Sequence, residues 1–577
     1  MLGKKSIRVN GADCGAEALL LGAITAIGGF LFGYDTGQIS GMLLFTDFKN
    51  RFGQEDTPEG RDFTPIIESL IVSLMSIGTL VGALTASYTA DWWGRRKSLS
   101  FGVCIFIVGC IIQITAMHSW VHIMMGRFVA GLGIGNLSMG VPMFQSECSP
   151  REIRGAVVAS YQLLITLGIL VANCVNYGVR EIQDSDASWR IVIGLGIAFS
   201  LPLGLGILAV PESPRWLAAR SRWDDARISM ARLRGMKNDP HHGLVEDDMR
   251  EMREMLEKER AVGVGTWAEC FIPRKNGVPK QVYRTLLGIS IHFLQQWTGV
   301  NFFFYYGATI FESAGIDDPI RTQLILGAVN VAMTFFGLYV VERFGRRWPL
   351  IIGAAWQAAW LAVFAAMGTA LNPEENSTSG IVMIVAACMF IASFAMTWGP
   401  ICWVVIGETF PLRTRAKQAS IATAGNWLGN FMISFLTPSA TSGIGYAYGF
   451  VFVGTNVAAG LLTYFFLYES VSLSLENVDA MYSQPGLKPW TSRKWVPEGY
   501  VTRLQRDEDY FRRRGEGGHP HESDLDDRTT AVPSGRPSRA VEGDGGEYAT
   551  LEKKGSGESG NGFRGRESRE ERVRRAV

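Results

Sequence analysis

Twelve apolar runs occupy most of the chain up to residue 468, and their length restricts the fold more than any other feature. They cover 18–42, 65–89, 99–117, 121–143, 155–177, 190–210, 283–308, 320–341, 349–371, 380–406, 419–438 and 446–468. A helix of about 20 apolar residues crosses a hydrocarbon core roughly 30 Å thick. Lipid offers the backbone no hydrogen-bond partners, so each such run must satisfy itself as a helix. The sequence therefore predicts an all-α membrane protein with twelve transmembrane helices. The first run is too long for a signal peptide and lacks a small-residue cleavage site, so it is expected to stay as a spanning helix.

Charge organises the rest. Only 19% of residues are charged, against 47% hydrophobic, and much of that charge lies in a central stretch and a C-terminal tail. A formal net charge of +1 gives no reason to expect a nucleic-acid partner. The eight Cys and seven His show no metal-ligand spacing. No catalytic constellation, cofactor or metal is expected, the chain does not read as an enzyme, and the Cys read as reduced packing residues. Even-numbered loops carry Arg95, Arg96 and Lys97, then Arg151 and Arg154, then Arg343, Arg346 and Arg347, then Arg413, Arg415 and Lys417. Odd loops carry acids such as Asp184, Asp186, Asp317 and Asp318. The positive-inside bias then places both termini in the cytoplasm.

Three phrases recur at nearly one separation. DWWGRR at Asp91–Arg96 returns as ERFGRR at Glu342–Arg347, ECSPREIRG at Glu147–Gly155 as ETFPLRTRA at Glu408–Ala416, and PES at Pro211–Ser213 as YES at Tyr468–Ser470. The copies follow runs 2 and 8, 4 and 10, and 6 and 12, all on one side of the membrane. That pattern predicts two parallel six-helix bundles with a substrate held between them at mid-membrane. The expected domains are a tail at 1–17, bundles at 18–210 and 283–468, a helical cytoplasmic linker at 211–282, and a largely disordered cytoplasmic tail at 469–577. The acids and guanidinium groups of the repeats, Asp91, Arg95, Arg96, Glu147, Arg154, Glu212, Glu342, Arg346, Arg347, Glu408, Arg415 and Glu469, are expected to pair across the two rims as a cytoplasmic gate. Plain topology signalling would explain the arginines but not the acid and the Gly at fixed spacing.

These motifs resemble the sugar porter family of the major facilitator superfamily. The resemblance covers about 18–480 and rests on FGYDTGQISG (32–41), DWWGRR, GRFVAGLGIG (126–135), PMFQSECSPREIRG (142–155), PESPRWL (211–217), QQWTGVNFFFYY (295–306), ERFGRR and WGPICWVVIGETFP (398–411), in wording most like fungal hexose transporters. The chain departs from the family pattern at Ser87, at Phe144, at Glu342 and in Tyr468-Glu469-Ser470-Val471, where only the Glu of a closing P-E-T-K survives.

Sugar recognition asks for neutral groups that both donate and accept, which amides supply, because an unsatisfied hydroxyl costs about 1–3 kcal/mol. The resemblance implies that Gln162, Gln295, Gln296, Asn301, Asn330 and Asn426 contact sugar together with Trp403, and that Phe32, Tyr305, Phe394 and Trp427 line or close the cavity. Gln295 and Asn301 are roughly 600° of helical turn apart, so they share no face of a regular helix. Gly299 between them permits a local break. Pro142 and Gly399-Pro400 are expected to allow bending of the fourth and tenth helices. Asp35, a carboxylate inside a span, is expected to pair with Arg127 and to take a proton in a symport cycle. A fixed structural ion pair, and facilitated diffusion, are the alternatives, since related facilitators keep the same acid.

The function expected is plasma-membrane transport of a hexose, glucose first, by alternating access. The partners expected are a monosaccharide, a proton and the lipid bilayer. A glucose sensor signalling through the tail is a further reading. Asn376-Ser377-Thr378 fits a glycosylation acceptor.

Overall fold

The computed structural model describes residues 6–496 apart from 10–11, 59, 150, 264, 273–278, 316–317, 372–376, 412, 472 and 474. The apolar runs are helices: Ala16–Met42, Pro65–Trp93, Arg95–Ile114, Trp120–Cys148, Arg151–Val179 and Ala187–Ala209 in the first half. The second half has Gln281–Gln296 with Val300–Ser313, Pro319–Phe344, Arg347–Ala370, Ser377–Met396 with Trp398–Thr409, Arg415–Ile444 and Tyr448–Phe466. Nine stretches among the described residues are long and apolar enough to cross a membrane, and one of these, Lys417–Phe466, holds two helices. The fourth span falls short on hydropathy because it buries Arg127, Asn136, Ser138 and Gln145, and the seventh because it is broken into pieces of 16 and 14 residues. The two spanning helices that polarity or breakage hides are the ones that carry much of the candidate site.

Glycines set the closest helix approaches. A Cβ on Gly33 would lie 1.9 Å from the Ile165 carbonyl oxygen, and one on Gly168 2.2 Å from that of Phe30, so the first and fifth spans meet backbone to backbone. The second and fourth spans interlock likewise, Gly78 and Gly82 against Phe128 and Leu132, Gly131 and Gly135 against Met75 and Thr79, with would-be Cβ contacts of 2.2 to 2.3 Å. Small residues four apart are how membrane helices pack without a hydrophobic driving force between them.

Three features add to the sequence reading. Two small hairpins appear, Ser6–Val9 with Ala12–Gly15 and Glu55–Thr57 with Gly60–Asp62. The helical linker is bonded to both halves. Its helices Pro214–Ala219 and Trp223–Leu233 bond back to the first half through Trp216 Nε1 to Asp91 O (3.0 Å) and Arg232 Nε to Glu17 Oε2 (2.7 Å). Its far end holds the second half through a bidentate pair of Arg413 with Glu269 at 3.0 and 3.1 Å. Finally, the segment expected to be disordered begins with a helix, Leu475–Ser483, and a 3-10 turn, Pro489–Lys494. Met481 and Tyr482 bury against Tyr468, the Arg284 guanidinium lies 4.1 Å over the Tyr482 ring and pairs with Asp479, and Trp490 stacks on Tyr464. Aromatic side chains in a polar context anchored this segment, and composition hid them. Cys104, Cys110, Cys148, Cys174, Cys270, Cys388 and Cys402 are free thiols.

Candidate functional site

The repeated Gly-Arg-Arg phrase builds the same device twice. Gly94 has φ +96° and Gly345 φ +88°, backbone that disfavours any side chain. A Cβ would also strike the acid each Gly faces, 2.6 Å from Glu212 Oε2 and 2.8 Å from Glu469 Oε2. Each acid accepts from the two backbone N–H groups that follow its Gly: Arg95 (3.1 Å) and Arg96 (3.3 Å) to Glu212, Arg346 (3.0 Å) and Arg347 (3.1 Å) to Glu469. Those N–H groups open the third and ninth helices, where carboxylates satisfy otherwise orphaned donors. The first Arg of each copy then forks onto an acid: Arg95 to Glu147 at 3.1 and 3.0 Å, Arg346 to Glu408 at 3.0 and 2.6 Å. The second Arg caps the end of the last helix of its half, Arg96 to Val210 O and Arg347 to Tyr464 O, each at 2.6 Å. Ser213 and Ser470 complete the symmetry by donating to Glu147 and Glu408. The worn YES copy therefore keeps the two residues its role uses. Burial pushes the Glu212 carboxyl above the usual carboxylate range, against the pull of the backbone donors.

These pairs correct one expectation. They run within each half, tying its helix ends into a rigid rim, and do not reach across from one half to the other. Asp91 joins Arg95 at 2.8 Å, and Arg415 Nε donates to Phe410 O at 3.1 Å, again within one half. The side chains of Arg154 and Glu342 lie outside the described residues, as does Asn376.

At mid-span four amides form a string. Gly299, at φ +99°, breaks the seventh span and starts Val300–Ser313, and its absent Cβ makes room for Phe452 Cγ at 2.8 Å. The break brings Asn301 round to Gln296. Asn301 donates to Gln296 Oε1 (2.5 Å), Gln296 to Asn426 Oδ1 (2.9 Å), and Asn426 to Gln295 Oε1 (2.7 Å). Gln295 ends the string on the carbonyls of Trp398 (2.9 Å) and Gly399 (3.1 Å). Those carbonyls sit where the tenth span restarts after Thr397 (φ −126°, ψ −82°), and Pro400 there has no N–H to give to the helix before it. Broken backbone at membrane depth is tolerated where it is buried in protein or lines a cavity.

The first half faces this string. Gln162 Nε2 lies 3.7 Å, and Phe394 Cε1 3.4 Å, from where a Gly399 Cβ would stand. Phe32 of the first span meets Trp427 of the eleventh edge-on at 5.2 Å. Trp427 is buried, and its indole N–H has no partner among the described residues. Tyr305 is buried on the piece of the seventh span that follows Gly299, and Trp403 is half-buried. Asn330 is buried on the eighth span, and its side chain takes no part in the string. His292 was not anticipated. It is fully buried one turn before Gln295, and its ring meets Trp403 at 4.6 Å. A lone His within an apolar run carries no sequence signal of its own.

Asp35 and Arg127, each 1% exposed, stand 3.8 Å apart. That is an ion pair without a hydrogen bond. Asp35 accepts instead from Gln38 Nε2 at 2.6 Å, and Arg127 Nη2 leans on Met75 Sδ at 3.2 Å. Asp35 Oδ2 and Arg127 Nε and Nη1 have no hydrogen-bond partner among the described residues. A buried charge pair this loosely made retains much of its desolvation cost.

Comparison with known proteins agrees with this geometry. The profile of the family "Sugar (and other) transporter" matches residues 21–482. The chain is 42% identical over 483 residues to a low-affinity glucose transporter of Kluyveromyces lactis, covering 82% of this chain and 84% of that one. It is 39% identical over 484 residues to the galactose transporter of Saccharomyces cerevisiae, covering 83% of each. Among solved structures, the proton:xylose symporter XylE bound to 6-bromo-6-deoxy-D-glucose superposes with a TM-score of 0.67 at 25% identity, over 81% of this chain and 99% of that one. An inward-open form of XylE from E. coli gives 0.65, over 80% and 99%. Twelve helices in two repeated bundles, with a polar string buried in the second and faced by the first, agree with the matching family model and relatives, which place the chain in the sugar transporter family of the major facilitator superfamily, and it is a membrane transporter of sugar rather than an enzyme.

Proposed function

We propose that the chain carries a hexose, glucose first, across the plasma membrane by alternating access, in symport with a proton. The observation that carries this reading is the amide string Asn301–Gln296–Asn426–Gln295, built on two helix breaks and faced by Gln162, Phe32 and Trp427. Its donors and acceptors exchange their mutual bonds for sugar hydroxyls, and the rings cover the sugar's C–H faces. The names of the relatives, glucose and galactose transporters, support a hexose.

Proton coupling follows from Asp35 and Arg127. A proton on Asp35 removes the charge that holds Arg127, and the pair is already stretched to 3.8 Å. In this reading both termini and the Gly-Arg-Arg rim are cytoplasmic, the bundles span 18–210 and 283–468, and the within-half ion pairs keep each bundle rigid while it rocks. The test is uptake of labelled D-glucose in yeast lacking hexose carriers, with and without a protonophore. Accumulation above the external level, lost with protonophore and lost in Asp35→Asn, supports symport. Equilibrating uptake indifferent to protonophore makes the pair structural, and no hexose uptake despite surface expression refutes transport.

A further inference from the structure

Among the described residues, two ion pairs that cross between the halves lie at the opposite rim, on residues that no repeated phrase marks. Arg180, in the turn after the fifth span, pairs with Asp318, the residue that opens the eighth span. Lys49, in the short helix Thr46–Phe52 after the first span, lies 3.8 Å from Glu312 at the end of the seventh. Below them the halves are also stitched by neutral bonds, Asn173 Nδ2 to Gln323 O at 3.0 Å and Ala308 N to Ser40 Oγ at 3.2 Å. The rim facing away from the Gly-Arg-Arg phrases is therefore shut.

We propose that Arg180–Asp318 and Lys49–Glu312 form an outer latch that sets how often this rim opens. This inference rests on the alternating-access reading above. The physical case is that each cation has a second acid within its own half. Arg180 Nε lies 3.8 Å from Glu181 Oε1, and Lys49 Nζ 3.7 Å from Asp62 Oδ2. When the halves part, neither cation is left bare; it falls back on its neighbour, so opening costs a fraction of a full pair. All four latch side chains are partly exposed, so salt screens the latch. Asp318 also caps its helix by accepting from Arg321 N at 3.0 Å. Asn keeps such a cap and removes only the charge, so Asp318→Asn separates latching from folding.

The experiment measures influx and efflux KM for D-glucose in vesicles holding the full chain, for the parent, D318N, R180Q and the double variant. A weakened latch populates the outward-open form, so influx KM falls while efflux KM rises, each by up to about five-fold. R180Q and D318N shift the constants alike, and the double variant adds nothing, because both remove one contact. High salt moves the parent toward D318N. Influx and efflux KM moving together, or R180Q and D318N adding independently, would overturn the latch. A parent chain that moves no sugar in either direction refutes the transport reading itself, an outcome distinct from either.

Discussion

Gly299→Ala separates the backbone break from the amides it positions. The residue sits at φ +99°, where an L side chain costs about 1–2 kcal/mol. The new Cβ would also stand 2.8 Å from Phe452 Cγ and 3.1 Å from its Cδ2, in a packed cluster of Phe302, Tyr448 and Phe452. Overpacking of that kind costs roughly 1–3 kcal/mol more. The chain has two ways to relieve the strain. It can push Phe452 aside, or it can rewind the seventh span and swing Asn301 away from Gln296. The second route dismantles the string and raises the KM for sugar. The assay is thermal unfolding in detergent together with uptake kinetics. Gly299→Ala should lower the midpoint and raise KM by about ten-fold or more. Phe452→Leu on the same background should recover part of the midpoint, because it relieves the contact, and little of the KM, because φ stays strained. A Gly299→Ala chain with the parent's midpoint and KM would refute the claim that the break places Asn301.

Other outcomes follow from the same geometry. Gly345→Ala meets both a positive φ and Glu469, so it should cost about 2–4 kcal/mol by equilibrium or kinetic unfolding, and Gly94→Ala should match it through Glu212. Gln295→Ala and Asn426→Ala should be strongly non-additive in KM, since their side chains bond directly; additive effects would place only one of them at the sugar. Glu212 has a folded pKa raised by burial, so its contribution to stability is fully present at acid pH and is lost as pH rises through that raised value. The parent should therefore gain unfolding midpoint on mild acidification relative to Glu212→Gln, and parallel profiles for the two would contradict this.

The apolar runs alone specified twelve helices, because a bilayer leaves a backbone no other way to satisfy its polar groups. Nearly constant separation between repeated phrases disclosed two parallel bundles, since duplicated segments keep their spacing wherever they fold. The resemblance picked out six amides, of which four bond to one another in the string while Asn330 does not, and Gly299 as a permitted break was legible from helical geometry. What the repeated acids and arginines bond to was not. Their sequence spacing fitted pairing across the halves as well as pairing within them. Three-dimensional placement decided for the latter, by setting Glu147 against Arg95 and Glu408 against Arg346. The closed rim opposite the Gly-Arg-Arg phrases, His292 against Trp403, and the docking of Leu475–Ser483 onto Arg284 were likewise decided only by tertiary structure. Hydropathy is a sum along the chain and survives in one dimension. A charge's partner is a matter of distance between residues that stand as far apart in sequence as Lys49 and Glu312, and that distance exists only once the helices have packed.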